Sequence, residues 1–247
     1  MNRTNNMNKA RDMVLSLVFP RRCPICDRPV KPYGALACEE CETGVRYVRG
    51  ETCCRCGKPL NGSEALRSSE YCEDCARRRH DFDRGFSLFE YRSVSDSIYR
   101  FKYKGRREYA AWYGEKMAGE LGDDLLRLNP DALVPIPIHR SKMRVRGYNQ
   151  AGLLARELGS LLNVPVRDDL LVRDKKTSPL KDATPDERNN ILRGAFKIGV
   201  NDVKLKTIII IDDIYTTGAT MDEASRTLRS RGVEKIYFAT LSIGKGV

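Results

Sequence analysis

Two groups of residues in this chain of 247 have the types and spacing that chemistry needs. The first is a set of eight cysteines in four Cys-x-x-Cys pairs: Cys23 and Cys26, Cys38 and Cys41, Cys53 and Cys56, Cys72 and Cys75. A two-residue gap lets both thiolates of a pair reach one metal ion, and two pairs complete a closed, tetrahedral, structural zinc site. The simplest assignment is sequential, with the first two pairs on one ion and the last two on another. An interleaved cross-brace is the alternative. Four dithiols in so short a segment exceed any redox need. The ninth cysteine, Cys54, could replace Cys53 as a ligand only by shortening the gap to Cys56 to one residue, so it is expected to be free. The second group is Ile208 to Thr220. Four isoleucines lead into Asp212 and Asp213, and a Thr- and Gly-rich run follows, Thr216-Thr217-Gly218-Ala219-Thr220. Carboxylates repel phosphate but accept hydrogen bonds from a vicinal diol or hold hydrated Mg²⁺. A loop entering a helix offers unpaired N–H groups to a phosphate. A sugar phosphate would satisfy both halves of this run.

These groups need elements to hold them. Four β-branched residues in succession suit a strand buried on both faces, as in a parallel sheet, with the two acids expected at its solvent-facing end. Ligands of open α/β sheets bind beyond such ends. A helix from Ala219 to about Ser230 and a strand from Lys235 to Ser242 continue a βαβ alternation. Upstream, Phe86, Leu88, Phe89 and Tyr91 predict a strand, and a helix starts at Ser95. A second helix runs from about Tyr109 to Leu128, closed by Asn129-Pro130. Asp131 to Pro137 reads as a short buried strand with an exit loop, Gln150 to Leu162 as an amphipathic helix, and Phe196 to Ile198 as a further strand. Residues 173–190 show no periodicity, and so long a loop is either functional or a disordered insertion.

Charge and composition bound the partners. The formal net charge is +11, with the excess shared between residues 1–80 and the remainder. Eight thiolates and two zinc ions would reduce +11 by four, to +7. Such a balance favours a polyanionic partner, whether nucleic acid or a diphosphate. No apolar run is long enough to span a membrane and no cleavage site marks a secretory signal, so the expected setting is cytoplasmic. Residues 1–12 read as a disordered start. Met13, Val14, Leu17 and Val18 have helical spacing, with Pro20 as the stop, and a docked helix is favoured over a membrane contact. Arg77, Arg78, Arg79 and His80 read as the linker between two domains, 1–80 and 81–247. Zinc here replaces a core that about 60 residues struggle to build, so the first domain is either a scaffold or a nucleic-acid-binding module.

The Ile208–Thr220 run resembles the phosphoribosyl-diphosphate fingerprint of type I phosphoribosyltransferases. Taken with the paired cysteines, Phe101-Lys102-Tyr103-Lys104-Gly105, Val134-Pro135, Arg146-Gly147-Tyr148-Asn149-Gln150 and Arg193-Gly194-Ala195-Phe196, the order of motifs resembles the ComF family, of the ComFC type. The resemblance covers roughly residues 20–245. It implies an α/β fold: a type I phosphoribosyltransferase-like, mainly parallel sheet with flanking helices, preceded by a small Cys-rich zinc-binding domain. It implies that Asp212 and Asp213 hold the ribose hydroxyls of phosphoribosyl diphosphate, with magnesium, and that Thr216, Thr217, Gly218, Ala219 and Thr220 bind the 5′-phosphate. The diphosphate loop falls at Pro135 to Arg140. Lys102, Arg144, Arg146, Asn149 and Gln150 match other family positions, with Tyr148 where Phe is common. The chain departs from the family near Leu180, where a Gln is usual, although Arg188 stands where an Arg is expected.

The family is implicated in natural transformation and brings no settled reaction. With the zinc module, the spread basic residues and the tyrosines, the first expectation is a protein that binds single-stranded DNA and uses phosphoribosyl diphosphate as ligand or substrate, with DNA-uptake proteins as partners. Candidate DNA contacts are Arg100, Lys102, Lys104, Arg106, Arg107, Arg140, Lys142, Arg144 and Arg146. Tyr47, Tyr91, Tyr99, Tyr103 and Tyr148 are candidates for base stacking or for core packing. The alternatives are a metabolic transferase acting on a small nucleophile and a non-catalytic sensor of the sugar phosphate.

Overall fold

The structure is a computed structural model that describes residues 20–32, 34–60, 70–174, 191–199 and 204–244. The expected helix at Met13 to Val18, and Leu180 and Arg188 of the long loop, lie outside these residues.

Two short helices belong to the cysteine-rich part, α1 (Glu39–Glu42) and α2 (Glu73–Arg77). The chain then runs through β1 (Arg84–Glu90), α3 (Tyr91–Tyr103), α4 (Tyr109–Arg127), β2 (Ala132–Pro135), α5 (Arg140–Arg146) and α6 (Gln150–Leu162). A small antiparallel pair follows, β3 (Leu171–Arg173) with β4 (Phe196–Ile198). The chain closes with β5 (Thr207–Tyr215), α7 (Ala219–Arg229) and β6 (Lys235–Ile243). β1, β6, β5 and β2 form one sheet in that order, with every pairing parallel.

The isoleucine run shows why the sheet is buried on both sides. Ile209 and Ile211 face a core built by α3, α4 and α6 through Ile98, Phe101, Trp112, Tyr113 and Leu158. Ile208 and Ile210 face the opposite core, with Met221, Ala224 and Leu228 of α7. The period of two along a strand thus feeds two cores from one continuous apolar run.

Each Cys-rich unit joins a different core. Cys23, Ala37 and Val45 of the first are buried with the α3/α4/α6 side. Cys53, Cys56 and Cys72 of the second are buried with the α7 side, beside Phe82, Tyr215 and Phe238. The segment between them lies antiparallel along β1: Val48 N–H donates to Leu88 O at 2.9 Å and Glu90 N–H to Arg46 O at 2.9 Å. This covers an edge strand that would otherwise offer unpaired groups. The first unit is further tied down by Arg106 and Tyr109 on Asp27, and by Trp112 Nε1–H donating to Glu42 at 2.6 Å.

Three local expectations are corrected. α3 begins at Tyr91, not Ser95, because β1 turns directly into it and Ser93 Oγ bonds Glu90 O at 2.9 Å. The strand expected over Asp131 to Pro137 is confined to Ala132–Pro135. His80, read as part of the basic linker, is buried at 5% exposure.

Candidate phosphate and metal sites

The two cysteine clusters come first because they need no substrate. The Sγ atoms of Cys23, Cys26, Cys38 and Cys41 lie within 4.8 Å of one another, and so do those of Cys53, Cys56, Cys72 and Cys75. Four convergent thiols without an acidic or imidazole ligand fit a closed structural zinc site. The grouping is the sequential one, and Cys54 is exposed outside both clusters. Tight turns make each cluster possible: Asp27 adopts φ 57° and Gly57 φ 71° just after the second cysteine of their knuckles.

The acid pair sits differently from expectation. β5 does not end before the acids; it carries them and continues to Tyr215, because β6 stays paired with it as far as Ile243. On the other side β2 stops at Pro135, opposite Ile211. Asp212 and Asp213 therefore lack a strand neighbour on that flank, which opens a crevice within the sheet plane. Asp213 is buried at 4% exposure and Asp212 is half-buried, so the acids do not both face solvent as expected.

Buried acids require partners, and the predicted residues supply them. Lys102 Nζ lies 2.8 Å from Asp213 Oδ2, and Gln150 Nε2 donates to the same oxygen at 3.2 Å. Arg146 in turn donates to Gln150 Oε1. Asp213 N–H donates to Asp212 Oδ1 at 2.8 Å. Burial alone would lower the Lys102 ammonium, but the Asp213 carboxylate outweighs it and holds Lys102 above its ordinary value. The Asp212 carboxyl is pushed up to about 8, by burial first and by Asp213 second, against the pull of Lys102.

That shift has a sign that can be measured. Between the unfolded value near 4 and the folded value near 8, the native state holds the extra proton. Stability should therefore be greatest on the acid side of this window and decline as pH rises through it. Asp212→Asn should remove this part of the slope, read from denaturant midpoints at about pH 5 and about pH 9. An unchanged slope in the variant would count against the assignment.

The loop after β5 completes the site. Gly218 caps α7 with φ 83°, and a Cβ there would stand 2.8 Å from Tyr215 Oη and 2.9 Å from His80 Cε1. Only glycine fits that conformation and that gap. The first-turn N–H groups of α7 have no intrahelical acceptor. Across from them, the segment after β2 is held by Asn149 Nδ2–H donating to Ile136 O at 3.0 Å, and His139 Nδ1 accepts from Ser141 N–H at 3.1 Å to start α5. α5 itself was not foreseen; sequence reading saw only its basic residues. Arg140, Lys142 and Arg144 are exposed on it. The Lys142 ammonium is lowered, by desolvation first and then by Arg173, Arg146 and Lys102. An anion placed among these cations would relieve that repulsion. A cavity of about 1130 Å³ joins Asp213 and the loop to Tyr91, Tyr99 and Tyr103 of α3 and to Lys58 and Asp74 of the second Cys-rich unit.

Other expected contacts lie elsewhere. Arg106 pairs with Asp27 at 2.9 Å, and Arg100 donates to Ile25 O at 2.6 Å, so both bind the first Cys-rich unit to the sheet domain. Arg107 lies over the Tyr148 ring and donates to Gly147 O at 3.0 Å. Tyr148 is buried and donates to Phe101 O, which removes it as a stacking surface. Tyr47 packs on Phe89 with centroids 5.0 Å apart. Tyr99 and Tyr103 are exposed, 5.1 Å apart, with Arg146 over Tyr103. Sequence reasoning missed His80 and Asp222 beneath the loop, because nothing local in His80-Asp81-Phe82-Asp83 announces a contact 142 residues away.

Among the described residues no helix is long and apolar enough to cross a membrane. Residues 14–76 match the double zinc ribbon domain, and residues 114–245 match the phosphoribosyl transferase domain. Competence protein F of Haemophilus influenzae is 28% identical over 217 residues, covering 81% of this chain and 93% of that protein. Competence protein ComFC of Bacillus subtilis is 28% identical over 203 residues, covering 79% and 78%. DNA utilization protein YhgH of Escherichia coli K12 is 25% identical over 225 residues, covering 89% and 96%. Among solved structures, purine phosphoribosyltransferase from Pyrococcus horikoshii aligns with a TM-score of 0.34 at 18% identity, over 53% of this chain and 73% of that one. The phosphoribosyl transferase domain model covers more than half of this chain, so the chain belongs to the phosphoribosyl transferase domain family, with a double zinc ribbon ahead of that domain and ComF-type competence proteins among its relatives.

Proposed function

We propose that the chain binds phosphoribosyl diphosphate with magnesium and handles single-stranded DNA during DNA uptake. The observation that carries the first half is that β2 stops at Pro135 beside Asp212 and Asp213, and that Asp213 lines one cavity with Thr216 to Thr220. The carboxylates would take the ribose hydroxyls and hydrated Mg²⁺, and Thr216 to Thr220 the 5′-phosphate. The segment Pro135 to Arg140, with Lys102 and Lys142 nearby, would face the diphosphate. Magnesium would neutralise the leaving diphosphate if transfer occurs. Calorimetry with phosphoribosyl diphosphate, with and without Mg²⁺, tests this; no heat in either condition sinks it.

The DNA half draws on the relatives named for competence and DNA utilization, and on the exposed cations of α5 beside the Tyr99–Tyr103 pair. Arg106 is engaged with Asp27, so the informative substitutions are Lys142→Ala with Arg144→Ala. They should weaken binding of an oligothymidylate and flatten the log–log salt dependence by about 0.7 for each phosphate no longer neutralised. Tyr103→Ala should lower affinity at every salt concentration without changing the slope, since a stacked base contributes about 1–3 kcal/mol. Binding that ignores salt would remove DNA from the proposal.

A second reading, a metabolic transferase, is favoured by the cavity, which leaves room for an acceptor beside Asp213. Diphosphate release from labelled phosphoribosyl diphosphate, with DNA or with small amines, separates the two.

A further inference from the structure

His80 is the most constrained polar side chain that neither the sugar-phosphate reading nor the zinc sites use. It comes five residues after the last cysteine of the second ribbon. Its side chain is 1% exposed, and its Nδ1 lies 2.9 Å from Asp222 Oδ2 and 3.2 Å from Oδ1. Asp222 also accepts from Asp81 N–H at 2.9 Å, so the carboxylate is fixed from two directions. The imidazole stacks on Phe82 with centroids 4.7 Å apart. The edge that carries Nδ1 also lies under the loop: His80 Cε1 and Nδ1 stand 2.9 and 3.1 Å from where a Cβ on Gly218 would be. Nε2, bonded to that same Cε1, is buried and has no hydrogen-bond partner.

A buried ring nitrogen without a partner is costly in the state that leaves it so. Asp222 cannot relieve it, because the carboxylate holds the other nitrogen. The loop is close by, since Gly218 packs against Cε1, the ring atom next to Nε2. We infer that His80 is a positioning residue for the loop Thr216 to Thr220, its Nε2 gaining a partner when an anion draws the loop closed. The inference rests on the reading of that loop as a phosphate site. It also gives the second ribbon a mechanical role. Phe82, which stacks on His80, shares a core with Cys53, Cys56 and Cys72.

The chain has two histidines, His80 and His139, so histidine-selective ¹⁵N NMR on the zinc-loaded full chain reads this directly. His139→Asn assigns the spectrum of the free protein. Saturating ribose 5-phosphate should move the His80 Nε2 resonance. By calorimetry, His80→Asn keeps an amide toward Asp222 but lacks the distal nitrogen, and should bind ribose 5-phosphate about tenfold more weakly. His80→Gln restores a polar group at that distance and should recover most of the affinity. An unmoved Nε2 resonance at saturation overturns the inference even if a variant fails to fold. Equal losses for Asn and Gln overturn it too, since bulk alone would then explain them. If the unsubstituted protein binds neither ribose 5-phosphate nor phosphoribosyl diphosphate, the phosphate-site reading fails first and this inference with it.

Discussion

Replacing Asp212 and Asp213 together by Asn should lower phosphoribosyl diphosphate affinity by more than about 100-fold. Two carboxylates that each accept from a hydroxyl or a metal-bound water contribute about 1.5–3 kcal/mol apiece, and about 2.7 kcal/mol already corresponds to about 100-fold. The substitution will not be silent in the fold. Lys102 lies 2.8 Å from Asp213, and the pair is largely enclosed. Removing one member strands the other charge, at a cost of about 3 kcal/mol. Adding Lys102→Met to Asp213→Asn should restore most of the stability and none of the binding. Calorimetry and thermal unfolding on the same three proteins check both halves. Undiminished binding in the Asp212→Asn, Asp213→Asn protein would end the assignment of these acids to the ligand. Unchanged stability there would mean that the Lys102 pair carries no net energy in this setting.

That pair also shows where a sequence stops being readable. The isoleucine run announced a strand buried on both faces, and the Thr-Gly run announced a loop opening a helix at Ala219, because both signals are local. The Cys-x-x-Cys spacing announced the clusters for the same reason: two residues set the reach of two thiolates. The burial of Asp213 was not local. It follows from β2 ending at Pro135 while β6 continues to Ile243, a difference in length between two strands far apart in sequence. Arg106 was misjudged for a similar reason. A basic run around Gly105 looks like a nucleic-acid surface, yet Asp27 draws one of its members into an inter-unit ion pair. His80 followed three arginines and looked like part of a linker, but Phe82 and Asp83, which point into the core and to Arg229, pull the segment inward. Pattern reveals elements and ligand chemistry. Which charges are left for a ligand depends on how separate elements meet.

The two zinc sites should differ in what their loss does, because they pack on opposite faces of the sheet. Cys56→Ser should lower zinc from two ions to one per chain and abolish phosphoribosyl diphosphate binding. Cys56 is buried in the core that holds Tyr215, which directly precedes the loop Thr216 to Thr220. Tyr215 stacks on Phe238 with centroids 4.8 Å apart, and Phe82 meets Phe238 edge-on at 4.9 Å. The knuckle turn lies against β1 so closely that a Cβ on Gly57 would stand 2.5 Å from Gly85 O, while Gly85 N–H donates to Arg55 O at 2.8 Å. A structural zinc ion contributes about 10–16 kcal/mol in isolated fingers, comparable to the net stability of a whole domain at about 5–15 kcal/mol. Losing it here should release the packing that sets Tyr215 and Gly218. Cys41→Ser should also leave one zinc, but its ribbon packs with α3, α4 and α6, and its nearest link to the site is Arg100 on the helix that carries Lys102. Affinity there should fall only a few-fold, through a loosened α3, about 1 kcal/mol at most. Metal analysis and calorimetry on both variants decide the matter. Equal losses of binding would show that the ribbons act as one unit, and two zinc ions retained in either variant would overturn the ligand assignment of that cysteine.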